Sequence, residues 1–151
     1  MPYQTSYSQF QPSGYPGMQA DLSEWDASSK TATATIAFGA PVQRNGDESC
    51  SPYASGGEYL GIAKATHKVT GTVADSYEQY DTVPVANEGV WWGIAGAAIT
   101  VGAGLNWDTV AGRWTTAATS GTVLAVAGAE AESAAAANGS LFKVRLRRIP
   151  S

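Results

Sequence analysis

Short segments of β-branched, aromatic and small apolar residues recur from residue 31 onward, with turn residues between them. Their apolar positions alternate with polar ones or run on for a few residues, a pattern of strands rather than helices. They begin about every ten residues, a spacing typical of a small sandwich or barrel. The pattern therefore predicts an all-β domain over residues 31–151. The strand candidates include TATATIAF (31–38), PVQR (41–44), YLGIA (59–63), residues 66–73, TVPVA (82–86), VWWGI (90–94) and TVLAVA (122–127).

Two tryptophan-bearing segments predict a hairpin. Residues 105–107 and 113–116 flank a five-residue spacer that ends in Gly112. A spacer of this length that ends in glycine is typical of a β-hairpin. We therefore expect Trp107 and Trp114 to lie side by side on neighbouring strands.

Basic and apolar side chains alternate along the closing strand candidate, residues 141–149. In a half-buried strand, one row packs into the core and the other faces solvent or a partner. The basic row is thus either a solvated row or an electrostatic contact, and the pattern supports both interpretations equally. The basic row is Lys143, Arg145 and Arg147, and the apolar row is Phe142, Val144 and Leu146.

The apolar residues among the first thirty recur neither with the period of a helix nor with that of a strand. This segment therefore has no apolar face with which to build a core of its own. Prolines at positions 2, 12 and 16 favour extended backbone and remove three amide donors. Yet the segment is aromatic, whereas disordered spacers are usually poor in aromatic residues. We expect residues 1–30 to be an extended N-terminal arm that lies along another protein; the alternative is a tail that folds back on its own domain or stays mobile. The aromatic residues of the arm are Tyr3, Tyr7, Phe10, Tyr15 and Trp25.

Charge is scarce and unevenly placed. Charged residues are 15% of the chain, below the usual quarter. A surface that other protein partly covers would show this bias, and so would a cytosolic protein rich in glycine and alanine. Residues 1–132 hold all thirteen acids and five bases, whereas residues 133–151 hold four bases and no acid. A basic end can indicate an acidic or nucleic-acid partner. Four bases are few and the rest of the chain is acidic, so we expect no direct contact with nucleic acid.

The residue types that catalysis and metal binding require are also scarce. His67 is the single histidine and has no neighbouring Cys, Asp or Glu to complete a triad or a zinc site. Cys50, the single cysteine, excludes an internal disulfide and follows Asp47 and Glu48, which would raise its thiol pKa. The glycines lack the Lys-Ser/Thr of a phosphate-binding loop. We expect no enzyme activity, no metal and no cofactor; a small hydrolase that uses His67 is the remaining catalytic hypothesis.

The pattern also argues against membrane contact and secretion. No basic start precedes an apolar stretch, so no signal peptide is expected. The most apolar stretch, residues 89–101, is interrupted by glycine and is shorter than the roughly 20 residues that span a bilayer.

The tryptophans support two interpretations. Trp91 and Trp92 point to opposite faces of a strand, so at least one belongs to a core or an interface. Trp107 and Trp114 either pack together or form a platform on which sugars stack. Packing is favoured, because large aromatic side chains dominate both burial and assembly contacts. A carbohydrate-binding β module on a virion or cell surface is therefore the alternative function.

Seven short motifs follow one another in a defined order. They are GMQAD (17–21), IAFGAPV (36–42), YLGIA (59–63), YDTVPV (80–85), EGVWW (88–92), WD…AGRW (107–114) and GSLFKVRL (139–146). Each motif alone is weak, but their order and spacing resemble the capsid cement (decoration) proteins of tailed bacteriophages over most of the chain. The departures are Gly93 after Trp92, where a longer strand is usual, and the additional basic residues Arg147 and Arg148.

The resemblance implies a non-enzymatic protein of the virion, made in the bacterial host cytoplasm, that binds the outer surface of the phage head. Such a protein would bridge neighbouring major capsid protein subunits and stabilise the shell. The resemblance also implies self-association, with a trimer preferred and a dimer as the alternative. The residues expected to bind the capsid or a second copy are Tyr3, Tyr7, Phe10, Tyr15, Met18, Trp25, Trp92, Arg145 and Arg147.

Overall fold

The computed structural model describes residues 14–66 and 73–148, and this part of the chain contains eleven strands and no helix. The prediction of an all-β fold is confirmed. The strands are β1 (Asp26–Ala32), β2 (Ile36–Ala37), β3 (Pro41–Arg44), β4 (Ser49–Pro52), β5 (Tyr59–Ala63), β6 (Ser76–Tyr77), β7 (Thr82–Ile94), β8 (Gly104–Asp108), β9 (Arg113–Thr115), β10 (Val123–Ala131) and β11 (Leu141–Leu146).

The longest strand, β7, organises the fold. Its first half pairs with β1 along one edge and with β5 along the other, and its second half pairs with β11. Strand β3 joins β5 to β4, and β4 pairs in parallel with β1. Strands β1, β4, β3, β5 and β7 therefore close into a small barrel.

The barrel encloses the first of two apolar cores. The short β2–β6 pair adds Ile36 and Tyr77 to this core, and the ring of Phe38 packs on Tyr77 at a centroid distance of 5.0 Å. The strands of the barrel contribute Ala32, Val42, Cys50, Ala63, Val83 and Val85.

The second core lies mainly in the other half of the molecule, and the barrel side adds Ala40, Ile62 and Ala86 to it. Strands β11, β10, β8 and β9 continue the sheet from the second half of β7. The sheet curls back on itself, because Trp114 of β9 bridges to Ala95 immediately after β7, and the Gly96 N–H donates to the Trp114 carbonyl at 2.7 Å. The largest side chains of this core are Trp91, Trp107, Trp114 and Phe142.

A β-bulge in β7 divides this strand between the two cores. Ala86 and Glu88 face consecutive residues of β1, which leaves Asn87 as an extra residue. An extra residue reverses the alternation of side chains along a strand. The strand therefore buries Val85 in the barrel before the bulge and Trp91 in the second core after it.

Two local patterns were predicted correctly. The hairpin is formed by β8 and β9, in which Trp107 lies opposite Trp114. The closing strand is β11, where the apolar row is buried and the basic row is not. In both cases a pattern within a few neighbouring residues decided the outcome.

Several predicted strand boundaries were wrong, most clearly in β7 and β1. Residues 82–86 and 90–94 form one strand instead of two, because Asn87-Glu88-Gly89 makes the bulge and not a turn. The strand predicted at residues 31–38 begins at Asp26, where its pairing with β7 starts, and ends at Ala32. The boundary predicted between arm and domain therefore falls inside β1. Most of the strand candidate at residues 66–73 lies outside the described residues.

Candidate partner-binding surface

The described end of the predicted arm, residues 14–25, lies on the domain; we call it the leader. The Gly17 N–H donates to the Trp92 carbonyl, the Trp92 N–H donates to the Met18 carbonyl, and the Ala20 N–H donates to the Val90 carbonyl, each at 2.9 Å. These bonds continue the edge of β7 that β1 occupies further along. The leader is thus held by backbone pairing, which leaves its side chains available for other contacts.

Two glycines allow the leader to approach the barrel closely. A side chain on Gly17 would place its Cβ 2.6 Å from the Gly39 nitrogen, and one on Gly39 would place its Cβ 2.7 Å from the Gly17 nitrogen. Both residues have positive φ values, 77° and 76°, a conformation that glycine adopts without cost. The Gly17 carbonyl also accepts the Ala65 N–H at 2.8 Å. The GMQAD and IAFGAPV motifs therefore meet at this contact.

Trp25 anchors the other end of the leader. Its ring stands edge-on to the buried ring of Trp91, with centroids 6.1 Å apart. The Lys64 ammonium lies 4.5 Å from the centre of the Trp25 ring, within the range of a cation–π contact. Gly89 makes room for this arrangement, because a Cβ there would lie 2.8 Å from the Cβ of Trp25.

Four large apolar side chains of the leader remain exposed, and we call them the leader surface. Their exposed fractions are 37% for Tyr15, 36% for Met18, 97% for Leu22 and 45% for Trp25. Sequence reasoning named Tyr15, Met18 and Trp25 but missed Leu22. Leu22 is a lone aliphatic residue between Asp21 and polar Ser23, and such a position has no pattern from which its exposure could be predicted.

A groove borders the leader surface. Its volume is about 440 Å³, and Tyr15 and Met18 line it together with the chain that leaves β5. The Nε2 atom of Gln19 is buried beside it with no hydrogen-bond partner among the described residues. The leader surface therefore includes a concave region as well as exposed side chains. The residues that line the groove are Tyr15, Met18, Gln19, Lys64, Ala65 and Thr66.

Trp92 lies beneath the leader instead of beside it. The backbone of Gly14 lies against the Trp92 ring, and this ring occupies the space that a side chain at position 14 would need. The Lys143 ammonium lies 5.6 Å from the centre of the same ring. The half-buried Trp92 thus connects the leader to β11 within the chain. Its predicted contact with a partner stays a prediction.

The two arginines of the basic row are paired with acids at the end of β10: Glu130 within the strand and Glu132 immediately after it. Arg145 donates two hydrogen bonds to the Glu132 carboxylate, at 2.6 and 2.7 Å. Arg147 donates to Glu130 at 2.9 Å. The hydrogen bond from Arg145 lowers the pKa of Glu132, and the one from Arg147 lowers the pKa of Glu130. These two arginine charges are balanced within the chain, and their predicted contact with a partner stays a prediction.

The tryptophans of the carbohydrate hypothesis are buried. The rings of Trp107 and Trp114 meet edge to face, with centroids 5.3 Å apart, inside the second core. A sugar stacks on an exposed ring face, and neither ring offers one. This geometry agrees with the favoured interpretation, in which the two tryptophans pack together.

Of the two residues considered for catalysis, Cys50 lies within the described part of the chain and His67 does not. Cys50 is buried in the barrel, and burial raises its pKa, opposed by the charge of Lys30. The expected cause, its acidic neighbours in sequence, was therefore wrong. His67 lies outside the described residues, as do the predicted partner residues Tyr3, Tyr7 and Phe10.

Residues 14–66 and 73–148 contain no group of three or more His, Cys, Asp or Glu side chains that could hold a metal ion. In the same part of the chain, no helix has the length and apolar character needed to cross a membrane.

Comparison with known proteins identifies the family. Residues 3–147 match the family described as "Structural cement protein (E217 gp24/Pam3 gp6)". A chain of the structure titled "The capsid of Myoviridae Phage XM1" has a similar fold, with a TM-score of 0.72 at 19% identity, over 99% of this chain and 100% of that one. A chain of "head fiber gp8.5 N base in bacteriophage phi29" matches with a TM-score of 0.46 at 16% identity, over 85% of this chain and 100% of that one. No curated protein matches.

The family match confirms the resemblance inferred from the seven motifs, and it spans almost the whole chain. The fold shared with the XM1 capsid chain agrees with the all-β architecture described above. The protein therefore belongs to the phage structural cement proteins, and it is a component of the virion that associates with the shell proteins of the capsid.

Proposed function

We propose that the leader surface is the contact by which this cement protein binds the outer face of the phage head. In this proposal the protein bridges neighbouring major capsid protein subunits, stabilises the shell without catalysing a reaction, and is made in the cytoplasm of the bacterial host. The observation that carries the proposal is the set of four exposed apolar side chains on a segment that backbone hydrogen bonds hold to the domain.

The energetics of the leader surface support binding to protein. Burying one large apolar side chain completely contributes about 1.5–3 kcal/mol. Leu22 is almost fully exposed, so nearly all of its contribution is available to a partner. Because residues 17–20 are already paired with β7, binding orders less backbone than it would in a mobile tail.

Bridging requires more than one contact for each bound unit. A trimer, the preferred form, would present three leader surfaces to neighbouring shell subunits, and a dimer would present two. Contacts linked in this way raise the overall affinity through effective concentration. The mass of the protein in solution tests the oligomeric state independently of capsid binding.

Co-sedimentation with capsids that lack this protein tests the leader surface. The variant M18D/L22D introduces two charges at the centre of the leader surface, and we expect at least tenfold weaker binding, a loss of about 1.4 kcal/mol or more. The matched control is Val110→Asp, which charges an exposed apolar residue in the β8–β9 turn (81% exposed) and should bind as the wild type does. Wild-type binding by the double variant would overturn the proposal.

A further inference from the structure

Tyr80 combines an exposed ring with an unusual backbone conformation. Its side chain is 79% exposed, and its φ value is 73°. A single exposed aromatic residue is ordinary on a protein surface, but a bulky residue with positive φ is uncommon, because its Cβ crowds the backbone. We propose that Tyr80 is a second contact with the capsid and binds a shell protein at a surface that carries arginine or lysine. This contact rests on the proposed function, since it acts together with the leader surface.

The turn that contains Tyr80 has a position suited to glycine. The Asp81 N–H donates to the Glu78 carbonyl at 3.1 Å, which closes a four-residue turn with Tyr80 at its third position. Glycine or asparagine usually fills a turn position with positive φ. Among the described residues, ten glycines have positive φ, and the only other residues that do are Asp75 and Tyr80. Aspartate tolerates this conformation better than tyrosine does, so Tyr80 costs stability that glycine would not.

Hydrogen bonds on both sides hold the turn in this conformation. The Tyr80 N–H donates to the Ala32 carbonyl, and the Ala32 N–H donates to the Asp81 carbonyl, each at 2.8 Å. The Glu78 N–H donates to the Asp81 carboxylate at 2.7 Å. Strained conformations persist where the surrounding structure fixes them, and they cluster at functional sites. The backbone that carries the Tyr80 ring is therefore fixed before a partner binds, which lowers the entropy cost of binding.

Tyr80 and the leader surface lie at opposite ends of β1. Trp25 immediately precedes this strand, and Tyr80 bonds to Ala32, its last residue. The strand has seven residues and is therefore about 20 Å long. This separation lets the two surfaces contact different parts of the shell. Two contacts linked through one domain raise the overall affinity through effective concentration.

The charges around Tyr80 favour a basic partner. Segments 30–33, 47–50 and 78–82 meet at this end of β1. Together they carry four acids and one base, Lys30. The face of a tyrosine ring attracts a cation, and neighbouring carboxylates attract the same cation. An arginine or lysine of a shell protein that stacks on Tyr80 fits both features.

Thermal unfolding tests whether the ring of Tyr80 serves the fold. Tyr80→Gly relieves the strained backbone and removes an exposed ring, so the melting temperature should equal or exceed that of the wild type, by up to about 4 °C. Gln79→Gly is the matched control, because Gln79 is exposed in the same turn and lacks positive φ. Glycine there should lower the melting temperature. A melting temperature of Tyr80→Gly below that of the wild type would assign the ring to the fold and overturn the proposal.

Co-sedimentation with capsids that lack this protein tests the contact itself. Tyr80→Gly should bind at least tenfold more weakly than the wild type, although it is at least as stable. Tyr80→Phe keeps the ring and should bind as the wild type does, and so should Gln79→Gly. Capsid binding by Tyr80→Gly that equals that of the wild type would exclude Tyr80 from the interface.

Two charged variants test the chemistry of the partner surface. Tyr80→Glu and Tyr80→Lys place long exposed side chains of opposite charge on the same backbone. A basic surface attracts the glutamate and repels the lysine, so Tyr80→Lys should bind capsids at least tenfold more weakly than Tyr80→Glu. Equal binding by the two variants, or weaker binding by Tyr80→Glu, would contradict the basic partner.

Comparison with M18D/L22D separates this contact from the leader surface. Weak binding by M18D/L22D with wild-type binding by Tyr80→Gly would overturn the second contact alone. The reverse result would overturn the leader surface and leave the contact at Tyr80 in place.

The mass of Tyr80→Gly in solution separates a shell protein from a second copy of this chain. The variant should have the same mass as the wild type. A smaller mass would place Tyr80 between copies of the chain and contradict its contact with the shell.

Discussion

Trp25 of the leader stands edge-on to Trp91 of β7, with ring centroids 6.1 Å apart and planes at 87°. Trp25 is half exposed, whereas Trp91 is completely buried in the second core and its ring N–H donates to the Glu88 carbonyl at 3.1 Å. The pair connects the surface that we propose binds the capsid to the rigid interior of the domain. The leader surface therefore rests on a core side chain, which limits its movement relative to the domain.

Trp25→Ala should loosen the leader while the domain stays folded. The change removes an edge-to-face aromatic contact and an exposed cation–π contact, together about 1–2 kcal/mol. Hydrogen exchange of the Gly17 and Ala20 amides, which bond to β7, should become faster. Leu22→Ala is the control, because this side chain is almost fully exposed and should leave the exchange unchanged. Equal exchange in all three proteins would show that Trp25 is not an anchor.

Gly17→Ala should destabilise the leader more than its backbone strain alone predicts. A residue with a side chain at positive φ costs about 1–2 kcal/mol, and here the new Cβ would also meet the Gly39 nitrogen at 2.6 Å. Gly56→Ala isolates the strain, because Gly56 also has positive φ but has open space around it. Chemical denaturation and exchange of the Gly17 region measure the difference. The proposed clash is absent if both variants lose the same stability.

The Arg145–Glu132 pair should make stability depend on acid pH. The hydrogen bond from Arg145 lowers the pKa of Glu132 in the folded protein. The stabilisation that the pair gives to the folded state is therefore complete above the ordinary glutamate pKa, about 4.3. It is then lost as the pH falls through the lower folded-state pKa. Because the pair is partly exposed, we expect at most about 1 kcal/mol.

Glu132→Gln tests this dependence through unfolding measured at neutral and acid pH. The variant should be less stable than the wild type at neutral pH, and the difference should vanish in acid. Glu58→Gln breaks the more exposed pair with Arg44 and should have a smaller effect. A difference between wild type and Glu132→Gln that persists or grows in acid would contradict the assignment.

Trp107→Ala should destabilise the second core, and the wild-type protein should bind no sugar. Trp107 is buried against Trp114, and removal of a buried large aromatic side chain costs about 3–5 kcal/mol. Val110→Ala, in the exposed turn of the same hairpin, should change stability by less than about 0.5 kcal/mol. A panel of glycans should leave the tryptophan fluorescence of the wild type unchanged. A saturable fluorescence change with any glycan would restore the carbohydrate-binding hypothesis.

Local patterns predicted the parts of this fold in which neighbours along the chain decide the outcome. In β11, apolar and basic residues alternate, as Phe142 and Lys143 show, and buried positions alternate with partly exposed ones in the same order. In the hairpin, the spacer that ends in Gly112 is enough to bring the two tryptophans together. The same local reasoning failed at Asn87, because turn-forming residues also form bulges when strands on both sides continue the pairing.

The candidate site was predicted in part. Aromatic and apolar residues in a polar segment pointed to Tyr15, Met18 and Trp25, and all three are exposed on the leader surface. Leu22 was missed, since a single aliphatic residue has no pattern that separates a surface position from a buried one. Arg145 was named for its charge, yet its partner Glu132 lies thirteen residues earlier, just after β10, which no local pattern indicates.

Residue patterns along the chain were enough to establish the all-β class, the alternation of the closing strand, the tryptophan hairpin and, through the motifs, the family. Those features depend on residues close together in the chain or on their order along it. Only the folded chain shows that the leader docks on β7, that the bulge at Asn87 divides one strand between two cores, and that Arg145 and Arg147 are paired with acids. Each of these features depends on contacts between segments far apart in sequence, and the geometry of such contacts is set only when the sheet closes.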